Sequence, residues 1–110
     1  MAKPTVVTLC GSTRFKEAFE DAQLAETVAG RIVLTVGGYL HRDEKAAKLL
    51  AENNNKARVD ELHLRKIDIS DEILLLNVDG YIGESTRREI NYAIDRGKRV
   101  RWLQEPRVRP

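Results

Sequence analysis

The chain is predicted to fold as a small doubly wound α/β protein, a Rossmann-like or flavodoxin-like three-layer sandwich around a parallel sheet of four to five strands. Three observations predict it. Short apolar runs rich in β-branched residues alternate along the chain with longer segments of helical periodicity. The runs are continuously apolar, as strands are when both faces of a parallel sheet are covered. The length, 110 residues, suits one domain spanning 1–110. Right-handed crossovers make 2-1-3-4 the simplest strand order.

The first strand is "TVVTLC" from Thr5, stopped by Gly11. A helix follows in "STRFKEAFEDAQLAETVAG", with Phe15, Ala18, Phe19, Ala22 and Ala25/Ala29 at helical spacing and Gly30 as its C′ residue. "RIVLTVGG" reads as a second buried strand and "HRDEKAAKLLAENNN" as a short helix with a polar end. "KARVDELHLRKIDIS" is helical, with Val59, Leu62, Lys66 and Ile69 along one side. "EILLLNV" is the third buried strand, "STRREINYAIDRGK" a helix closed by Gly97, and "RVRWLQ" the fourth strand.

Composition narrows the function classes. Apolar residues make up 42% and charged residues 33%, ordinary for a soluble globular chain; aromatics are 5%, so Val, Ile, Leu and Ala must fill the core. No apolar run approaches the roughly 20 residues that cross a bilayer, so no membrane partner is expected. The N-terminus lacks the regions of a signal peptide, and a cytoplasmic location is expected. A net charge of +2 with a basic "RGKRVRWLQEPRVRP" ending reads as a solvated strand and tail. Without stacking aromatics or a known module, a nucleic-acid polymer is not an expected partner. A single cysteine excludes an internal disulfide, and Cys10, inside an apolar run, reads as a small buried hydrophobe. Two histidines and one cysteine show no ligand spacing, so neither a metal nor a cofactor is expected. A core this small would gain from association, and a homo-oligomer, dimer or larger, is expected.

In an open parallel sheet, ligands bind beyond the C-terminal strand ends where the order reverses, here between the first and third strands. The loops meeting there are Gly11-Ser12-Thr13-Arg14 and Asp79 to Thr86, flanked by Gly37 to Tyr39. Glycine allows close backbone approach, a helix start offers free N–H groups, hydroxyls donate, and arginine forks onto an oxyanion. These features together suit a phosphate or carboxylate cradle. They also suit plain structure, with Ser12 or Thr13 as an N-cap and Arg14 as a surface cation. In the second loop, Thr86-Arg87-Arg88-Glu89 fits a capping box, Thr86 as N-cap and Glu89 at N3. Glu89 would equally face the crevice. Arg87 and Arg88 are unfavourable at a helix N-terminus, which an anionic ligand or pairing with Glu84 would explain. Tyr39 and Tyr81 could stack on a base, whereas His41 reads as a solvated residue in a charged stretch.

The motifs "LCGSTR", "DISDEILLLNV" and "GYIGESTRREINYAIDRGKRV" together resemble the nucleoside 2-deoxyribosyltransferase superfamily, which includes the deoxynucleoside-monophosphate N-glycosidases. The similarity covers nearly the whole chain in order and spacing. It is closest over Glu89-Ile90-Asn91-Tyr92-Ala93 and Gly97-Lys98. The resemblance implies N-glycosidic bond cleavage or transfer, with Glu89 as nucleophile at the anomeric carbon. A carboxylate suits a reaction that builds positive charge on a sugar. The departing base needs an acid, for which Asp79, Glu84, Asp68 and His63 are candidates. The family also places a sugar-orienting aspartate on the helix before the third strand; His63 stands near that position, between Asp60 and Asp68. The "CGSxR" loop of the monophosphate-hydrolysing branch holds a 5′-phosphate. By this resemblance the ligand is a nucleotide rather than a nucleoside, bound by Gly11, Ser12, Thr13, Arg14, Gly37, Tyr39, Gly83, Ser85 and Thr86. The alternative is a nucleotide-binding or sensing module of the same fold without chemistry.

Overall fold

The computed structural model describes residues 2–39 and 41–106. Four parallel strands, β1 (Val6–Cys10), β2 (Ile32–Leu34), β3 (Glu72–Leu75) and β4 (Arg99–Trp102), form one sheet in the order β2-β1-β3-β4. Four helices accompany them: α1 (Lys16–Val28), α2 (Glu44–Leu50), α3 (Asn55–Asp68) and α4 (Glu84–Asp95). The expected doubly wound α/β sandwich and its strand order are those observed. Arg107 and Arg109 of the basic tail lie outside the described residues. No helix among the described residues is long and apolar enough to cross a membrane.

Side-chain alternation along β1 and β3 divides the core into two layers. Val7, Leu9, Leu74 and Leu76 pack with Phe19 and Ala22 of α1. Cys10, Ile73 and Leu75 point the other way, against Ile67 of α3 and Ile90 and Ala93 of α4. Both faces of the two central strands are therefore covered, which is why their sequences read as unbroken apolar runs. Cys10, the last residue of β1, is thereby aimed between α3 and α4. Thr8, two residues earlier on the same face, is buried and bonds the Lys66 carbonyl and the Ser70 hydroxyl, pinning the end of α3 over β1.

The edge strands depart from expectation. β2 pairs over three residues, and Ile32 is 47% exposed, so "RIVLTVGG" is not a fully buried strand. It has one neighbour, and its chain leaves the sheet after Leu34. In β4, Val100 and Trp102 pack against the α3/α4 layer. Arg101 instead reaches the buried carboxylates of Glu26 on α1 and Glu72 on β3, at 2.9 Å from the latter. An ionic cluster thus covers this part of the α1 side, and Glu26 rather than Ala25 or Ala29 is the inward residue of the last turns of α1. On α3 the inward residues are His63 and Ile67; Val59, Leu62 and Ile69 are exposed, so the side read as Val59-Leu62-Lys66-Ile69 is not the packed one. The register differs because Ile67 fills the core between β3 and α4, which turns Ile69 some two hundred degrees away.

Candidate active site

A cavity of about 650 Å³ opens at the C-terminal end of β1, between the loops after β1 and β3 and the helices α3 and α4. This is the predicted switch point, and the volume lies in the roughly 300–1,000 Å³ range of small-molecule sites. Gly11, Ser12, Thr13, Arg14, Gly37, Gly83, Ser85, Thr86 and Glu89 all line it. Sequence positions up to 78 apart are thus brought to one concavity. Val36, Ala46, Leu49, Leu50, Val59 and Leu62 supply an apolar wall.

The loop after β1 is held by its own polar groups. A Cβ on Gly11 would come within 3.2 Å of the Leu76 Cβ and carbonyl oxygen, so the close passage of the loop past β3 needs glycine. Ser12 Oγ accepts from the Arg14 backbone N–H and from its Nε, at 3.3 and 3.0 Å. The Arg14 guanidinium lies 4.6 Å over the Tyr81 ring, which in turn meets Phe15 edge-on. Its two NH2 groups carry no hydrogen bond among the described residues. Helix α1 begins only at Lys16, with Phe15 as N-cap and no side-chain cap. Neither Ser12 nor Thr13 is an N-cap, and the loop's hydroxyls and Arg14, rather than a helix end, face the cavity. Thr13 Oγ1 is 2.7 Å from Nδ1 of His41, which is exposed, as the sequence suggested, and also lines the cavity.

The capping-box reading of Glu89 does not hold. Helix α4 starts one turn earlier, with Gly83 as N-cap, Glu84 at N1 and Thr86 already inside the helix. The first helical bond runs from Arg87 N–H to the Gly83 carbonyl at 3.0 Å. Thr86, Ile90 and Ala93 are the buried face, and Glu89, three residues after Thr86, shares it. Its side chain is 20% exposed and lines the cavity. Arg88 turns outward to Glu84 at 3.3 Å and to Ser85 Oγ, and neither Arg87 nor Arg88 lines the cavity. The arginine at this helix start that the structure pairs is thus explained by an acid, not by a ligand.

Glu89 stands in a trio with two buried residues. Cys10 Sγ is 3.4 Å from His63 Nε2, His63 Nε2 is 3.5 Å from Glu89 Oε1, and the three donor atoms all lie within 4.8 Å of one another. Burial pushes the Glu89 carboxyl up to about 7; the thiol S–H of Cys10 opposes this, the Asp60 charge adds to it, and Arg88 and Lys56 oppose it more weakly. Burial pulls His63 down to about 4, helped by Lys66 and opposed by Asp60. At neutral pH the 3.5 Å contact is therefore one between a neutral imidazole and a partly protonated carboxyl rather than a full ion pair. Burial, then Glu89, raises the Cys10 thiol well above its usual range. Linear spacing could not show this cluster, because its members come from β1, α3 and α4.

Three predicted residues stand elsewhere. Asp68 lies on the outer side of α3, accepting from the Tyr92 hydroxyl at 2.7 Å and pairing with Arg65 and Arg96 at 3.3 and 3.4 Å. Five residues beyond His63, it is rotated well away from the inward face. Asp79 is exposed in the 3-10 turn Val78–Gly80, at φ 54°, and does not line the cavity. Tyr39 packs in the α1 layer, edge-on to Phe19 at 5.8 Å, away from the cavity lining. The acids that do line the cavity with Glu89 are Asp60 and Glu84. Compared with models of protein families, with curated proteins and with solved structures, the chain matches no family model, no curated protein and no solved structure.

Proposed function

We propose that the cavity binds a nucleoside or deoxynucleoside 5′-monophosphate and cleaves or transfers its N-glycosidic bond, with Glu89 as nucleophile. One observation carries the reading: a largely buried carboxyl, one of a trio with a neutral imidazole and a thiol, lines the same cavity as the Gly11–Arg14 loop. The resemblance of the surrounding motifs to the nucleoside 2-deoxyribosyltransferases supports the same residue. In the reaction, the ionised carboxylate attacks the anomeric carbon as the bond to the base breaks. The electron pair of that bond leaves with the base, which takes up a proton. Water or a second base then displaces the carboxylate from the sugar. A poorly hydrated carboxylate is well placed to stabilise positive charge growing on the sugar, and a neutral His63 adds no opposing charge. Asp60, which lines the cavity with Glu89 where Asp79 and Asp68 do not, is assigned the role of proton donor toward the base in their place.

The direct assay is incubation with a panel of nucleoside monophosphates and nucleosides, reading released base by chromatography. A second reading, a nucleotide-binding module without chemistry, is favoured by the 2.9 Å pairing of Asp60 with Lys56, which engages the carboxylate that would serve as acid. Binding without base release from any substrate selects it.

The phosphate end of the ligand is assigned to Ser12, Thr13 and Arg14. Arg14→Ala is expected to weaken binding of a monophosphate roughly tenfold or more, the value of a charge-assisted hydrogen bond, and to change nucleoside binding little. Calorimetric titration of both ligands measures the difference; equal losses would remove the phosphate assignment.

The reading includes a homo-oligomer. Leu49, Val59 and Leu62 line the cavity yet stay 50%, 39% and 52% exposed, and a second copy would cover them. Sedimentation velocity at micromolar concentration is expected to show a dimer or larger species. A monomer throughout that range would overturn the assignment.

A further inference from the structure

We propose that Cys10, His63 and Glu89 form a binding site for a thiophilic divalent cation of the zinc class. Their donors, Sγ, Nε2 and a carboxylate oxygen, converge from the end of β1, from α3 and from α4. In a tetrahedral site with bonds of about 2.0–2.3 Å, neighbouring donors stand about 3.3–3.8 Å apart. The distances from Nε2 to Sγ and to Oε1, 3.4 and 3.5 Å, fall in that range. The third edge is no longer than 4.8 Å, and rotation of the Glu89 carboxyl about its terminal torsions can close it.

The donor set points to the class of cation. One sulfur, one imidazole nitrogen and one carboxylate oxygen suit zinc or cobalt, whereas magnesium and calcium prefer oxygen alone. A thiolate and a carboxylate together carry two negative charges, so a bound divalent ion is neutralised within the site. That balance is what burial in the Ile67–Leu75–Ile90 layer requires. Binding releases the thiol proton, and the carboxyl proton where one is held, to solvent. His63 and Glu89 line the cavity, which leaves a fourth coordination position for water or a ligand group on that side.

The consequence for activity, unlike the site itself, rests on the Glu89 reading: a carboxylate ligated to the cation is not free to attack a sugar, so the cation inhibits.

The probe is cobalt(II), titrated into the full chain after chelator treatment and under a non-thiol reductant. One equivalent is expected to bind with a thiolate-to-cobalt charge-transfer band in the near ultraviolet and the visible bands of a four-coordinate ion. Zinc should abolish both. Cys10→Ser should lose the charge-transfer band, and His63→Gln and Glu89→Gln should each weaken binding roughly tenfold or more. Those two variants keep the cysteine and decide the matter if Cys10→Ser fails to fold. No band in wild type, or a band that neither variant weakens, would overturn the proposal. In an active wild type, zinc should suppress base release and chelator restore it; activity undiminished in the zinc-loaded protein would overturn the inhibitory role. An inactive wild type that still gives the cobalt signature would count against the glycosidase reading and leave the cation site standing.

Discussion

Glu89→Gln is expected to lower base release by several orders of magnitude while nucleotide binding persists. The amide is nearly isosteric and can still meet His63, but it can neither form the sugar ester nor balance an oxocarbenium charge. Because α4 is capped at Gly83, the substitution leaves the helix start untouched. In wild type, base release should rise with pH through about 7, where burial places ionisation of the carboxyl. Single-turnover rates by chromatography, paired with calorimetric affinities, separate chemistry from binding. Base release by Glu89→Gln at the wild-type rate would remove the nucleophile assignment. A rate independent of pH between 6 and 8 would show that the carboxyl does not control the chemical step.

The second large effect is on stability, and it comes from two opposed titrations. Folding lifts the Glu89 carboxyl from its ordinary 4.5 to about 7, chiefly by burial. Between those values the folded chain keeps a proton that the unfolded chain has released, so this group makes stability fall as pH rises. Folding lowers His63 from 6.5 to about 4, again chiefly by burial. Between those values the unfolded chain holds the extra proton, so this group makes stability rise with pH. Each shift corresponds to about 3 kcal/mol. Across the shared window, roughly pH 4.5 to 6.5, the two slopes cancel, and the wild-type contribution of the pair is nearly flat. Glu89→Gln removes one slope. The variant is expected to be more stable than wild type by about 3 kcal/mol at pH 8, and then to lose stability on acidification below 6.5. His63→Gln should show the reverse trend, gaining stability as pH falls from 7 to 4.5. Urea unfolding in chelator across this range measures both. Parallel pH profiles for wild type and Glu89→Gln would mean that the carboxyl is not held in a poorly hydrated setting.

A measured gain of stability in Glu89→Gln at neutral pH would fit a carboxylate placed for chemistry rather than for packing. The capping reading would give no such gain, because glutamine also serves at N3 of a capping box, which makes the unfolding experiment informative even before a substrate is found.

Much of the architecture was legible in the amino-acid order alone. "VVTLC" and "EILLL" are unbroken apolar runs because β1 and β3 are covered on both faces, and local periodicity records that covering directly. Alternation of such runs with helical segments was enough for the sheet order and for the switch point, hence for the loop Gly11–Arg14 and for the segment Gly83–Thr86, read as loop but forming the start of α4, that line the cavity. The edge strands were less legible: "RVRW" owes its arginine to Glu26 and Glu72, which lie on other elements. What the tertiary structure alone decided is the environment of Glu89. Its spacing from Thr86 fits a cap, yet Thr86 is buried and the helix extends one turn further back, which turns Glu89 from the helix start to the inward face. Asp68, equally acidic in sequence, is turned outward to Tyr92, Arg65 and Arg96. His63 and Cys10 carry no local sign of either neighbour, since their contact joins residues 53 apart. Helical and strand periods are properties of consecutive residues, whereas burial, donor convergence and the shifts they cause depend on which distant segments pack together.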